Sequence, residues 1–274
     1  MRLIDVRHLG RERVIGCWQV DDVLIDPGPE PSLETLVEEL GVWRPRALLL
    51  THIHLDHAGA AGALVRRWPD LDVYVHEVGA PHLADPSKLL TSAERLYGDR
   101  MQELWGEVVP VPEANLRPLV GGEVVLRFRV AYTPGHASHH VCYLHDTGRA
   151  FVGDVAGVRI PPCELTLPPT PPPDIDVQAW VRSLDTVEEW HPESLGITHF
   201  ESIEEPEAHL DTMRAELGAA AGLARELPAD EYERMLRARM STGDEQTEQA
   251  YLQVMPPGQH WHGLDRYLRR REET

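Results

Sequence analysis

Three histidines and an aspartate, His52, His54, Asp56 and His57, stand within six residues directly after the apolar run Leu48-Leu49-Leu50. A neutral imidazole offers a nitrogen lone pair to a borderline-soft cation, and a carboxylate adds a harder oxygen donor. That combination is the composition of a transition-metal site. His52 and His54 are two apart on an extended segment, so their side chains leave the same face and converge on one ion. Asp56 and His57 open an expected helix reaching Trp68 and project from the turn in another direction, which points to a second ion. The expected cofactors are therefore two divalent metal ions, zinc foremost, with iron and manganese accepted by the same donors.

Such a site needs donors from elsewhere in the chain. Three occur, each at the exit of a short apolar run: His136 after Val130-Ala131-Tyr132, Asp154 after Ala150-Phe151-Val152-Gly153, and His199 after Leu195-Gly196-Ile197-Thr198. Strands that finish along one rim, each handing over a polar side chain, describe a site built on a rigid sheet edge.

The ordered set Asp26, then His52, His54, Asp56 and His57, then His136, Asp154 and His199 resembles the metallo-β-lactamase superfamily of hydrolases over the first three quarters of the chain. The resemblance implies that His52, His54 and His136 hold one metal, that Asp56, His57 and His199 hold the other, and that Asp154 bridges them. It makes Asp26, in Ile25-Asp26-Pro27-Gly28-Pro29, a group that orders the ligand loop without touching metal. His140 stands where many relatives carry a second histidine in Thr-Pro-Gly-His-x-x-x-His and is read as a catalytic or supporting donor. His139 and His76 are read as structural. β-Lactamases of the commonest subclass carry Arg at the position of His57 and Cys at that of Asp154, which argues against antibiotic hydrolysis.

Two cations a few Å apart can share a water and lower its pKa from ~16 toward ~7, so that hydroxide attacks and no Ser or Cys nucleophile is required. Asp56 is the candidate proton acceptor. The expected function is dinuclear, metal-dependent hydrolysis of an ester-like bond, a lactone, thioester or carboxylic ester, in a small molecule. Two alternatives remain on the same motifs: a mononuclear iron persulfide dioxygenase, whose members usually show Cys at the position of His140, and a phosphodiesterase or nuclease. A silent binding module would lack ligands, and none is lacking.

The elements that must position these groups alternate. Strands are expected at Val14 to Val20 and Val23 to Asp26, a helix at Ser32 to Leu40, a strand at Ala47 to Leu50, the helix to Trp68, and a strand at Val73 to His76. Residues 81–107 form a helical insertion with Leu89, Ala93, Tyr97, Met101 and Trp105 three or four apart; Tyr97 is the candidate substrate contact. Strands follow at Glu123 to Val130, Val141 to Leu144 and Ala150 to Val152, and a helix at Val177 to Trp190. Proline-rich residues 161–176 read as a stiff loop that either walls the cleft or merely delivers that helix. The expected fold is α/β, a four-layer αββα sandwich over residues 1–202, with a helical C-terminal extension over 203–274 packed on it.

Composition constrains the partners. A formal charge of −19 repels a nucleic-acid backbone. The basic stretch Arg266 to Arg271 is interleaved with Tyr267 and Leu268 and reads as an amphipathic terminal helix. There is no apolar stretch of membrane-spanning length and no secretory leader, so a cytoplasmic protein with a small-molecule substrate is expected, and a homodimer is compatible. Cys17, Cys142 and Cys163 are too scattered for a disulfide framework.

Overall fold

The computed structural model describes residues 1–272. Its first half forms a six-stranded mixed sheet in which spatial order equals chain order: β1 (Arg2–Asp5), β2 (Gly16–Val20), β3 (Val23–Ile25), β4 (Ala47–Leu49), β5 (Asp72–His76) and β6 (Leu116–Leu119). The first three strands are antiparallel and the last four parallel. Parallel strands need crossovers. These are α1 (Leu33–Leu40), the pair α2 (Leu55–Ala58) and α3 (Ala61–Arg67), and then α4 (Ala80–Ala84), α5 (Ser87–Tyr97) and α6 (Met101–Trp105).

The second sheet runs β14-β13-β10-β9-β8-β7, from β7 (Val124–Val125), β8 (Phe128–Tyr132), β9 (Val141–His145), β10 (Arg149–Phe151), β13 (Ser194–Ile197) and β14 (Glu201–Ile203). A small hairpin, β11 (Val158–Arg159) with β12 (Thr166–Leu167), precedes α7 (Val177–Glu188). Four helices close the chain: α8 (Pro206–Glu226), α9 (Ala229–Met240), α10 (Glu245–Val254) and α11 (Pro257–Glu272).

Side chains on a strand alternate faces, and the two faces here enter different cores. Val23, Ile25, Ala47 and Leu49 of the first sheet meet Phe128, Val130, Tyr143 and Phe151 of the second. Leu24, Leu48 and Leu50 point outward into a larger core that also holds Leu64 from α3, Trp180 from α7, and Leu210, Tyr251 and Leu264 from the C-terminal helices. Tyr143 Oη donates to the carbonyl of Leu50 at 2.8 Å, linking the sheets beside the ligand loop. The αββα sandwich is thus in place, and helices α8 to α11 share its outer core.

Several elements differ from the sequence reading. The expected single helix up to Trp68 is two segments. Gly59 lies between them, where a Cβ would sit 2.5 Å from the carbonyl oxygen of Leu55 and 3.2 Å from Pro29. The strand expected over Glu123 to Val130 is a hairpin, turned at Leu126 and Arg127, both with positive φ. Strand β6 contains Pro118, which masked it; proline is tolerated there because β6 is an edge strand. Strand β1 and helix α10 were not anticipated, and β1 is stitched onto β2 by register pairs such as Ile4 with Cys17.

The turn before His136 needs its glycine. Gly135 has φ +142°, and a Cβ there would fall 2.3 Å from the backbone of Trp180 in α7. Gly135→Ala is expected to cost about 3 kcal/mol through strain and overlap combined. A chemical denaturation midpoint unchanged from that of the parent would contradict this.

Candidate metal centre

Every candidate ligand, and Asp26 beside them, lies at the carboxyl end of a strand or in the turn or short helix just beyond it. Asp26 follows β3; His52 and His54 follow β4; Asp56 and His57 lie on α2; His136 follows β8, Asp154 follows β10 and His199 follows β13. Strands β3 and β4 are mutually parallel, as are β10 and β13, and β8 runs parallel to β10 because each is antiparallel to β9. Their ends therefore share one rim. All seven predicted ligands are brought together there.

Donor atoms within 4.8 Å of one another form the trios His52, His54, His136 and Asp56, His57, His199, with a third grouping of His52, His57 and Asp154 between them. Asp154 faces both sides. Its Oδ2 lies 3.3 Å from His136 Nε2, while its Oδ1 lies 3.1 Å from His57 Nε2 and 3.6 Å from His199 Nε2. Asp56 Oδ2 is 3.4 Å from His199 Nε2 and 3.9 Å from His57 Nε2.

The outward nitrogens decide which ring atoms face inward. His57 Nδ1 donates to Asp26 Oδ2 at 2.8 Å, His136 Nδ1 to the carbonyl of Pro169 at 2.9 Å, and His199 Nδ1 to that of Val14 at 2.7 Å. His52 Nδ1 lies 3.1 Å from Thr51 Oγ1, whose own proton is committed to Asp26. A ring nitrogen that donates outward leaves its partner as a lone pair. Four Nε2 atoms are thereby aimed at the centre. His52 Nε2 and His136 Nε2 each face His54 Nδ1 at 3.0 Å.

Three of the atoms directed into this space, His57 Nε2, His199 Nε2 and Asp154 Oδ1, are buried with no hydrogen-bond partner. Buried polar atoms are rarely left unmatched in a native protein. Converging lone pairs around a carboxylate fit divalent cations, and the donor set suits them chemically.

Asp26 organises the rim without entering it. It is fully buried and accepts four hydrogen bonds: from Thr51 N at 2.8 Å, Thr51 Oγ1 at 2.7 Å, His57 Nδ1 at 2.8 Å and Thr198 Oγ1 at 2.9 Å. Both threonines directly precede a ligand histidine, Thr51-His52 and Thr198-His199. That repeated dipeptide is a sequence signal for Asp26's partners.

Electrostatics make the metal-free centre a proton trap. Burial would depress the His57 pKa, but Asp154, Asp26 and Asp56 around it outweigh burial and hold it well above the ordinary value. His199 is raised by the same balance, burial opposing Asp154 and Asp56. His54 goes the other way, to about 4, through burial and the neighbouring His136. A proton on His57 must leave before Nε2 can ligate. Divalent metal binding at pH 7 is therefore expected to release protons, and affinity is expected to rise with pH. Calorimetric titration in two buffers of different ionisation enthalpy checks this; identical heats would refute it.

The other predicted residues are placed less uniformly. Tyr97 lines the cleft above the centre and packs edge-on to Trp105, with ring centroids 5.1 Å apart. His140 does not reach the cleft wall. It is buried behind His52, ring centroids 5.1 Å apart, with Nδ1 2.9 Å from Thr133 Oγ1. His139, read as structural, does line the cleft, and its Nδ1 accepts from the Ile53 N–H at 3.4 Å. The proline-rich loop and the C-terminal helices both contribute walls, through Pro169, Pro171 to Pro173, Val254 and Gln259. His260 in α11 also lines it and accepts from Thr170 N at 2.8 Å, holding that loop; its place in the tail hid this role. No helix among the described residues is long and apolar enough to cross a membrane.

Residues 21–199, which contain every candidate ligand, match the family model of the metallo-beta-lactamase superfamily. The chain belongs to that superfamily. The metallo-β-lactamase fold-containing protein ST1585 of Sulfurisphaera tokodaii is 30% identical over 192 residues, covering 67% of this chain and 70% of that protein. The crystal structure of ST1585 superposes with a TM-score of 0.71 over 96% of this chain and 97% of that one, so the likeness in fold takes in the C-terminal helices. TTHA1623, solved in a di-iron-bound form, is 30% identical with a TM-score of 0.53, covering 71% of this chain and 92% of the other. The hydroxyacylglutathione hydrolase of an Enterobacter species (strain 638) is 31% identical over 132 residues, 48% of this chain; the chain spans 41% of that protein's length. This superfamily member thus carries candidate metal-binding His and Asp clusters in a fold that hosts metal-dependent hydrolases.

Proposed function

We propose that this chain is a dinuclear, zinc-dependent hydrolase of a small ester-like molecule, thioester, lactone or carboxylic ester. The observation that carries the reading is Asp154, which presents one carboxylate oxygen to each histidine trio. Similarity to hydroxyacylglutathione hydrolases over part of their length supports a thioester among the three.

Bound divalent ions would supply a water of pKa near ~7 and would polarise the scissile carbonyl. The chain's own residues do the rest. His52, His54 and His136 would hold one ion, Asp56, His57 and His199 the other, with Asp154 between. Asp56 is partly exposed to the cleft, so it can take a proton at the carboxylate oxygen turned away from His199. Burial, with Asp56 nearby, raises the Tyr97 pKa, so its phenol stays neutral and offers a hydrogen bond to substrate. Loop residues Pro169 to Pro173 narrow the cleft and help exclude water. His140 acts as a positioning residue that steadies His52.

Elemental analysis of protein purified without added metal, followed by a substrate panel, tests the reading. Two ions per chain are expected, with p-nitrophenyl esters, thioesters or lactones cleaved well above bis(p-nitrophenyl) phosphate. A single iron with oxygen uptake on a persulfide, or faster phosphodiester cleavage, would replace it.

A further inference from the structure

The loop beside the centre is almost without backbone donors. Residues 168–173 read Pro-Pro-Thr-Pro-Pro-Pro, and proline has no N–H, so the Thr170 amide is the one backbone donor in six residues. That N–H goes to His260 Nδ1 in α11 at 2.8 Å. The carbonyl of the same peptide group, that of Pro169, accepts from His136 Nδ1 at 2.9 Å. A single peptide plane thus stands between a candidate ligand and the last helix.

Backbone partners fix the protons at both ends. A carbonyl only accepts, so His136 Nδ1 carries a proton and Nε2 keeps the lone pair; an amide N–H only donates, so His260 Nδ1 is a lone pair on a neutral ring. A peptide whose N–H is engaged is polarised, and its carbonyl oxygen becomes the better acceptor. Thr170 and His260 are both buried, so water does not compete for this amide. The contact is also reinforced. Thr170 Oγ1 donates to the carbonyl of His260 at 3.1 Å, and nearly one turn further along α11 a Cβ on Gly263 would fall 2.1 Å from the Thr170 carbonyl oxygen. Trp261 Nε1, donating to the carbonyl of Leu227 at 2.9 Å, anchors the helix on its other side.

The outward partners of His52, His57 and His199 are Thr51, Asp26 and Val14, all early in the chain. The partner of His136 is the one backed by the C-terminal extension. Resting on the metal-centre reading above, we propose that His260 is a positioning residue for His136: through the peptide joining Pro169 to Thr170, helix α11 sets the orientation and basicity of that ligand and so tunes the affinity of the His52, His54 and His136 site apart from that of Asp56, His57 and His199. The extension is then part of the metal centre as well as a wall of the cleft.

Zinc titration of the metal-free protein against a competing chelator resolves the two stepwise affinities. His260→Phe keeps a ring and removes the acceptor; one step is expected to weaken about tenfold, the lower end for loss of a ligand's outer partner, and the other to stay within about twofold. His260→Asn places an amide oxygen near the position of Nδ1 and should restore the weakened step. Thr170→Val keeps the N–H, deletes only the hydroxyl and should leave both steps unchanged. Gly263→Ala forces the helix off the loop without altering any hydrogen-bonding group and should weaken the same step as His260→Phe.

A second readout needs neither metal nor turnover. In metal-free protein carrying isotope-labelled histidine, the His136 Nδ1 proton is expected to resist exchange with solvent, to lose that protection in His260→Phe and to regain it in His260→Asn. Unchanged affinities and unchanged protection in His260→Phe, or a loss that His260→Asn does not restore, would overturn the coupling. A parent protein that binds no zinc yet shows the loss and recovery of protection would instead overturn the metal-centre reading and leave the link from α11 to His136 standing.

Discussion

Asp154→Ala is expected to abolish turnover, by at least ~10³-fold, and to leave at most one metal ion per chain. The side chain is almost completely buried and its two oxygens face different histidine trios, so no other residue can substitute for it. Burial would raise the Asp154 pKa, but His57, His199 and His136 together hold it well below the ordinary carboxylate value. It is therefore an anion throughout the physiological range, and removing it leaves His52, His54 and His136 with no carboxylate among them and Asp56 as the sole carboxylate beside the Nε2 atoms of His57 and His199. Asp154→Asn keeps the shape while cancelling the charge and is expected to lose activity to the same degree. Metal content by mass spectrometry and single-substrate kinetics decide the matter. Two ions bound at parental affinity with an undiminished rate would refute the bridging role.

The second large effect lies outside the ligand set. Asp26→Ala removes the acceptor of four buried hydrogen bonds at once, stranding the Thr51 N–H, the hydroxyls of Thr51 and Thr198, and His57 Nδ1. A buried donor without its acceptor costs about 1–3 kcal/mol, and water entering the gap recovers part of the sum, so a net loss of about 3–5 kcal/mol is expected. Metal affinity should fall by roughly 10–100-fold, because His57 would lose the bond that sets its tautomer and ring orientation. Thr198→Val, which deletes one of the four bonds, should cost only about 1 kcal/mol. Urea denaturation of the metal-free forms separates the two variants; equal stabilities would mean that Asp26 is not the hub the hydrogen bonds describe.

The seven donors at the centre were legible because each lies a few residues beyond the end of a strand, in the turn or short helix that follows it. An apolar run with His or Asp within a few residues of its end is a local pattern, and the turn that leaves a strand end carries those side chains to the rim. Asp26 was legible for the same reason, although not its partners: Thr51 and Thr198 look like ordinary strand residues until the fold sets them around one carboxylate. Residues such as Pro118 in an edge strand, or Leu126 and Arg127 in a tight hairpin, misled the reading because propensity cannot tell an edge from a centre.

By itself, then, the order of residues determined the ligand chemistry, the alternating layers and the helical character of residues 81–107, since all of these follow from local spacing. Only the tertiary structure decided what surrounds the centre. Tyr97 and Trp105 from the insertion, Pro169 to Pro173 from the stiff loop, and Val254 to Gln259 from the last helices are far apart in the chain and meet over Asp56 and His199. Only the fold showed that Asp154 turns one oxygen to each trio and that His140 stands behind His52. Local spacing dictates which atoms a strand end can offer, whereas a cleft is the space left between packed elements, and that space exists only once long-range burial has brought them together.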